Sequence, residues 1–270
     1  FGGPVKKDAL WFYTSSRVWG VDQTIPNAYY NADPTHRTYS PDLTKPVVDD
    51  NLIKSGLIRL TARKGPHKLA AYIDSIIKFR GHEGNANTLE EAYGVRLPKN
   101  YYTSYAKYTG TLSNRLLVES GLSIEQNSYS TQDPEDSLIP GSIARTEITG
   151  VAGGAPAGGI WSANPTPRLN RMPNIAYSWL NSVSYVTGSH SFKLGMTYGW
   201  GTIKRTQSLV GDLVQRYSGG KPNSVVVYNT PTISQVNNTY DIGIYLQDSW
   251  KLNRLTLNPG IRFDAFNSLY

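Results

Sequence analysis

Apolar and polar side chains alternate with a period of two along most of this chain, the pattern of strands with two unlike faces. Phe192, Leu194, Met196, Tyr198 and Trp200 are separated by Lys193, Gly195, Thr197 and Gly199. Ile242, Ile244 and Leu246 interleave with Asp241, Gly243, Tyr245 and Gln247. The same alternation runs through Leu69–Phe79, Leu116–Ile124 and Leu255–Phe263. It predicts strands over Ala9–Trp19, Ile53–Lys64, His67–Arg80, Tyr102–Leu112, Arg115–Tyr129, Tyr177–Thr187, His190–Lys204, Tyr240–Lys251 and Arg254–Phe266. Soluble strands average about 5–6 residues. These runs reach about ten or more, the length a tilted strand needs to cross a bilayer.

The connections carry a second signal. Lys64-Gly65-Pro66-His67, Ser113-Asn114, Gly188-Ser189 and the link around Asn253 are tight. Those from Gly20 to Leu52, Gly81 to Tyr101, Ser130 to Ala176 and Arg205 to Thr239 are long and rich in Pro, Asn, Asp, Ser and Gly. Short and long alternate strictly, as turns and outer loops do in outer-membrane barrels. The expected architecture is all-β: an antiparallel meander of long transmembrane strands, part of a barrel and open as a fragment. With nine strands, the first and last run in the same direction. All four long loops are expected at one edge.

Aromatic residues sort by strand end. Trp19, Trp179, Trp200 and Tyr240 fall at long-loop ends, Trp250 at a tight-turn end, as two interfacial girdles require. The polar face carries Arg59, Arg63, Lys68, Lys78, Arg80, Arg115 and Arg262, with Glu119 and Asp264 among fewer acids. Unpaired charges do not pack into a small dry core, whereas a wide wet or plugged lumen holds them. Arg59 and Arg262 sit mid-strand between outward apolar neighbours. Both are expected on the inner face, at least one of them without a carboxylate partner.

Composition narrows the chemistry. The 270 residues include 19 Tyr, 25 Gly and 16 Pro, which disfavours an all-α fold. No apolar run is long enough for a membrane-spanning helix. The absence of cysteine removes disulfides, thiolate metal sites and thiol nucleophiles. A net charge of +7 raises the prior for an anionic partner. Basic and aromatic residues sit on opposite strand faces, which argues against nucleic acid. The four histidines are scattered, and Gly150–Gly159 lacks the Gly-Lys-Ser/Thr of a phosphate loop. Asp133-Pro-Glu-Asp136 and Asp49-Asp50 are read as solvated acids rather than cation ligands. No catalysis, metal or cofactor is expected.

Residues Tyr245-Leu-Gln-Asp-Ser-Trp-Lys-Leu-Asn-Arg-Leu-Thr-Leu-Asn-Pro-Gly-Ile-Arg-Phe-Asp264 resemble a hairpin of TonB-dependent outer-membrane receptors. Ser189–Tyr198 is similar to another strand of that family. Gly2-Gly-Pro-Val-Lys-Lys-Asp-Ala-Leu-Trp-Phe12 resembles a stretch of the Oar-like branch, whose members carry a carboxypeptidase-regulatory-like domain. The resemblance implies a 22-stranded barrel with an N-terminal plug and a TonB box coupling uptake to the inner-membrane proton gradient. Neither plug nor TonB box matches anything here, so residues 1–270 read as a partial barrel lacking its plug and remaining strands. A first residue other than Met agrees with a fragment.

The implied function is the wall of a nutrient transporter in the outer membrane of a Gram-negative bacterium. Its implied partners are outer-membrane lipid, its own plug and the TonB energy-coupling complex; the substrate, small molecule or peptide, stays open. Two alternatives stand beside this: a surface or soluble β-sheet binding or adhesion protein, and a small self-contained porin.

Overall fold

The computed structural model describes residues 1–134 and 139–270. Among the described residues it is built from strands and two single 3-10 turns, at Glu90–Ala92 and Val210–Asp212. In chain order the strands are β1 (Gly2–Lys6), β2 (Leu10–Asn31), β3 (Pro41–Lys64), β4 (His67–Glu83), β5 (Gly94–Thr111), β6 (Leu116–Gln132), β7 (Ala144–Glu147), β8 (Ile160–Trp161), β9 (Arg168–Arg171), β10 (Asn174–Thr187), β11 (His190–Ser208), β12 (Leu213–Ser218), β13 (Lys221–Val227), β14 (Thr232–Leu252), β15 (Leu255–Leu257) and β16 (Gly260–Leu269).

A meander forms the wall, in the order β1-β2-β3-β4-β5-β6-β10-β11-β14, with β15 and β16 both on the far side of β14. Every wall pairing is antiparallel. The path ends at β1 and at β15–β16 without closing. All nine expected strands are present, with three corrections. Gly2–Lys6 adds a wall strand, pairing Gly3 with Phe12, so Ala9–Trp19 is not the edge. The two edges, β1 and β16, therefore run in opposite directions. The last expected strand is broken at Asn258-Pro259, because proline has no N–H for the ladder. Finally, much of Gly20–Leu52 continues as β-ladder, pairing Val21 with Asn51 and Gln23 with Asp49.

The tight turns show why they are tight. Lys64 pairs with His67 and Thr187 with His190, leaving two residues between. Gly65 and Gly188 take φ of 56° and 54° there, and Asn253 takes 53° between Leu252 and Leu255. Positive φ is cheap for Gly and tolerated by Asn, as two-residue hairpins require.

At the other end the four long connections meet. Asn87 N–H donates to the Asn27 carbonyl at 3.0 Å, Ile160 N–H to Asn87 at 3.0 Å, and Ile148 N–H to Tyr217 at 2.8 Å. Strands β13, β12, β7 and β8 make a second, four-stranded sheet in this cap. The buried apolar clusters lie here: Ala28 with Val47 and Tyr93; Leu89 with Ala155 and Trp161; Ala144 with Ala163, Leu209 and Val214. The mid-wall, by contrast, leaves its apolar side chains outside. Ile58, Leu194 and Leu246 are about half exposed. That inversion is what a lipid-facing wall looks like without its lipid.

Candidate inner face of the wall

Register settles which side chains share a face. Leu194 stands opposite Leu246 on one side and Val183 on the other; Leu246 opposes Ile261, and Val183 opposes Val118. Across the wall this apolar face continues through Ala106, Ala71, Leu60 and Phe12. Near the cap it carries Tyr177 stacked on Trp200 at 5.0 Å, beside Tyr198 and Trp179. Near the turns it carries Tyr185, Phe192 and Trp250, with His190 stacked between the last two at 5.3 and 5.2 Å. Phe192 to Trp200 is about 26 Å along the strand at ~3.3 Å per residue. Tilt reduces this towards the height of the apolar band, about 25 Å.

Four of the expected girdle residues, Trp179, Trp200, Tyr240 and Trp250, share the apolar face by register. Trp19 does not. It pairs with Ile53, which pairs with Lys78, and so lies on the polar face with Arg17, whose guanidinium rests 5.5 Å from its ring. Sorting by strand end alone overlooked the alternation that starts at Leu10. Trp11 shares the polar face for the same reason.

On the polar face, Arg59 lies between Tyr13 and Tyr72, Arg63 opposes Lys68, and Lys78 opposes Ile53. Arg59, Arg63 and Lys68 are exposed. None of these four has an ion-pair partner among the described residues. Arg262 does: its guanidinium meets Asp264, two residues along the same face, at 2.7 Å. Glu119 pairs with Lys107 at 2.7 Å and accepts from Ser182 Oγ at 3.4 Å. Around that pair a cavity of about 430 Å³ opens over β5, β6, β10, β11 and β14, lined also by Tyr105, Lys193 and Tyr245. Arg115 sits in a tight turn, where its N–H donates to Ser113 Oγ at 3.2 Å and its carbonyl accepts from Val186 at 2.9 Å.

Arg80 belongs to the cap rather than the mid-wall. It binds Asp49, with Nε to Oδ1 at 2.7 Å, and reaches Glu83 at 3.4 Å; Glu83 in turn binds Arg96, which lies 4.7 Å from the Tyr129 ring. His82 meets Asp50 at 2.8 Å. The acids Asp49 and Asp50 are thus held by Arg80 and His82 of β4. Asp133 is likewise paired with Arg168 at 3.0 Å, while Glu135 and Asp136 lie outside the described residues.

Two buried groups in the cap could not be found by local sequence. Burial, then the nearby Asp49 carboxylate, push the Tyr93 phenol up, and its hydroxyl donates to the Asn85 carbonyl at 2.8 Å. Glu147, 2% exposed, ends β7. Loss of solvent works against its charge. The N–H groups of Gly220, Thr149, Gly150 and Gly219, at 2.9–3.1 Å, outweigh that and hold the carboxyl below the usual glutamate range. The donors on Gly219 and Gly220 come from the β12–β13 turn, so no local motif announces them.

A family model for the outer membrane beta barrel domain matches residues 67–270. Among solved structures, the outer membrane transporter YddB from Escherichia coli shares the fold with a TM-score of 0.65 at 13% identity. The alignment covers 99% of this chain and 34% of that one, so the chain spans about a third of that transporter's length. No curated protein matches the chain in sequence. In a barrel of this family the apolar face is the one that meets lipid and the polar face the one that lines the interior. The chain belongs to the outer membrane β-barrel domain family and resides in the outer membrane of a Gram-negative cell.

Proposed function

We propose that the chain forms part of the wall of a TonB-dependent active transporter that imports a nutrient such as a siderophore, glycan or peptide. The observation that carries this reading is the hairpin from Tyr245 to Asp264. Its receptor-like sequence folds as β14, the Asn253 turn, and β15–β16, with Arg262 and Asp264 paired on the inner face. A likeness to a transporter fold and the charged inner face support it. On this reading the chain performs no catalysis and holds no cofactor. Its partners are outer-membrane lipid, a plug inside the barrel and the inner-membrane coupling complex, and the Oar-like branch is the family position the N-terminal stretch favours.

The test is uptake by cells carrying the full-length protein, with labelled ferric siderophores, oligosaccharides and peptides as probes. Accumulation of one probe is expected to need the protein and to stop when a protonophore collapses the inner-membrane gradient. Uptake that persists at full rate without the gradient would mark a passive porin and end this reading.

A further inference from the structure

The inner face differs sharply between its two halves. Below the Arg80–Asp49 pair, β2–β4 carry on it Arg17, Arg59, Arg63, Lys68 and Lys78 against one acid, Asp74. None of these cations is ion-paired among the described residues. From β5 to β16 the inner cations Lys107 and Arg262 are paired within the chain, Lys193 lines the cavity beside Glu119 without a direct ion pair, and the inward acids Glu119, Glu125, Asp241 and Asp264 balance them in number.

The unpaired cations form a stripe rather than a pocket. Arg63 and Lys68 adjoin the Gly65-Pro66 turn, Arg17 is level with Ser55, and Lys78 with Ile53. From Arg63 to the level of Lys78 is about 33 Å at ~3.3 Å per residue, the full height of the wall. A small anion needs its donors gathered within a few ångströms. A stripe this tall suits an extended partner.

Shape and polarity favour a polypeptide. Between the cations, Tyr13, Trp19, Leu57 and Ile76 face inward, and Tyr13 and Trp19 are 50% and 39% exposed. Aromatic rings with arginine, as in Arg17 against Trp19, are what protein interfaces enrich. Water alone would leave those rings unburied. The other half has Gly121, Ser182, Gly195, Thr197 and Gly243 facing inward. Tyr245 reaches over Gly195, where a Cβ would stand 2.2 Å from its ring. That side mixes these small residues with Tyr105, Leu180 and Tyr245, and bears the cavity beside Glu119 instead of a stripe of unpaired cations.

We propose that the inner face of β2–β4 seats an acidic polypeptide surface lodged in the barrel, while the inner face of β6–β14 stays open. This deepens the transporter reading and rests on it for the presence of a plug. Charge complementarity fixes the sign of the partner, and the interleaved rings fix that it packs rather than hovers.

The test uses the full-length protein in the outer membrane of its own cells. A photoreactive benzophenone amino acid replaces Leu57 in one variant and Ser182 in another. Position 57 is expected to capture an Asp/Glu-rich segment, identified by mass spectrometry as part of the receptor or a stable partner, at about fivefold the yield of position 182. Arg17→Gln with Arg59→Gln and Lys78→Gln should lower capture at 57 by a similar factor, and Arg59→Lys should not. If the triple variant does not assemble, as judged by gel mobility without boiling, the exposed Arg59→Gln alone makes the comparison. Equal capture at both positions, a neutral or basic captured segment, or no polypeptide at 57 would overturn the proposal. If gradient-dependent uptake holds while capture is even, the docking idea fails and the transporter reading stands. Acidic capture at 57 without gradient-dependent uptake gives the reverse.

Discussion

Arg63 on β3 and Lys68 on β4 face each other directly across the Gly65-Pro66 turn, both on the inner face and without a carboxylate between them. Like charges in register on neighbouring strands repel, and an opposite pair there contributes about 0.2–1 kcal/mol. Lys68→Glu is therefore expected to stabilise the isolated chain in detergent by about 0.5 kcal/mol, less in high salt. Urea unfolding at two ionic strengths measures it. A variant no more stable than the parent at low salt would show that the two side chains diverge into solvent.

The lipid band gives a larger effect. Leu246 is 49% exposed and lies between Leu194 and Ile261 on the apolar face. An arginine near the bilayer midplane costs about 2–4 kcal/mol. Leu246→Arg should lower folding stability in lipid bilayers by about that amount, and Thr197→Arg, on the inner face, by much less. Equal losses at the two positions would invert the assignment of faces.

Gly201 tests backbone packing rather than solvation. A Cβ there would stand 2.4 Å from the Ile175 carbonyl oxygen and 3.1 Å from the Ala176 Cα, both main-chain atoms that cannot swing away. The ladder is already irregular between Gly199 and Gly201. Gly201→Ala should cost about 1–3 kcal/mol, as overpacking does. Gly56→Ala, with open space around it, should cost far less. Denaturant midpoints of the two variants make the comparison.

The wall was legible because the bilayer imposes its period on the residues within it. Phe192 to Trp200 must alternate, having lipid on one side and water or protein on the other. Above the membrane the ladder continues, but both faces are wet. Asp22 pairs with Asp50 and Gln23 with Asp49, which read as loop although they are strand. β1 was hidden by Gly2, Gly3 and Pro4, residues that strands disfavour and that here depend on pairing with β2. Arg262 had its partner visible two residues away in Asp264, whereas the pairs that order the cap span long separations. Arg168 binds Asp133, and Glu147 binds amides more than 70 residues on. No sequence window contains such contacts.

Glu147 offers the clearest titration. Its carboxylate accepts four main-chain N–H groups and thereby ties residues 149 and 150 to the Gly219-Gly220 turn. The charged form is the one those donors favour, so the folded cap holds this proton less tightly than the unfolded chain does. The linkage sign follows: stability from this clamp is complete above the ordinary glutamate range and is lost as pH falls through the lower, folded value. Glu147→Gln replaces one acceptor oxygen by an NH₂, which turns a donor towards the N–H of Gly219 or Gly220. Amide exchange at Thr149, Gly150, Gly219 and Gly220 should then quicken by about tenfold, with the wall strands unchanged. Acidification of the parent should produce the same local opening, and the variant should show no further acid sensitivity at those amides. Exchange that stays slow in Glu147→Gln would mean that β12–β13 is held by its packing on Ala144 and Leu209 alone, with the carboxylate incidental.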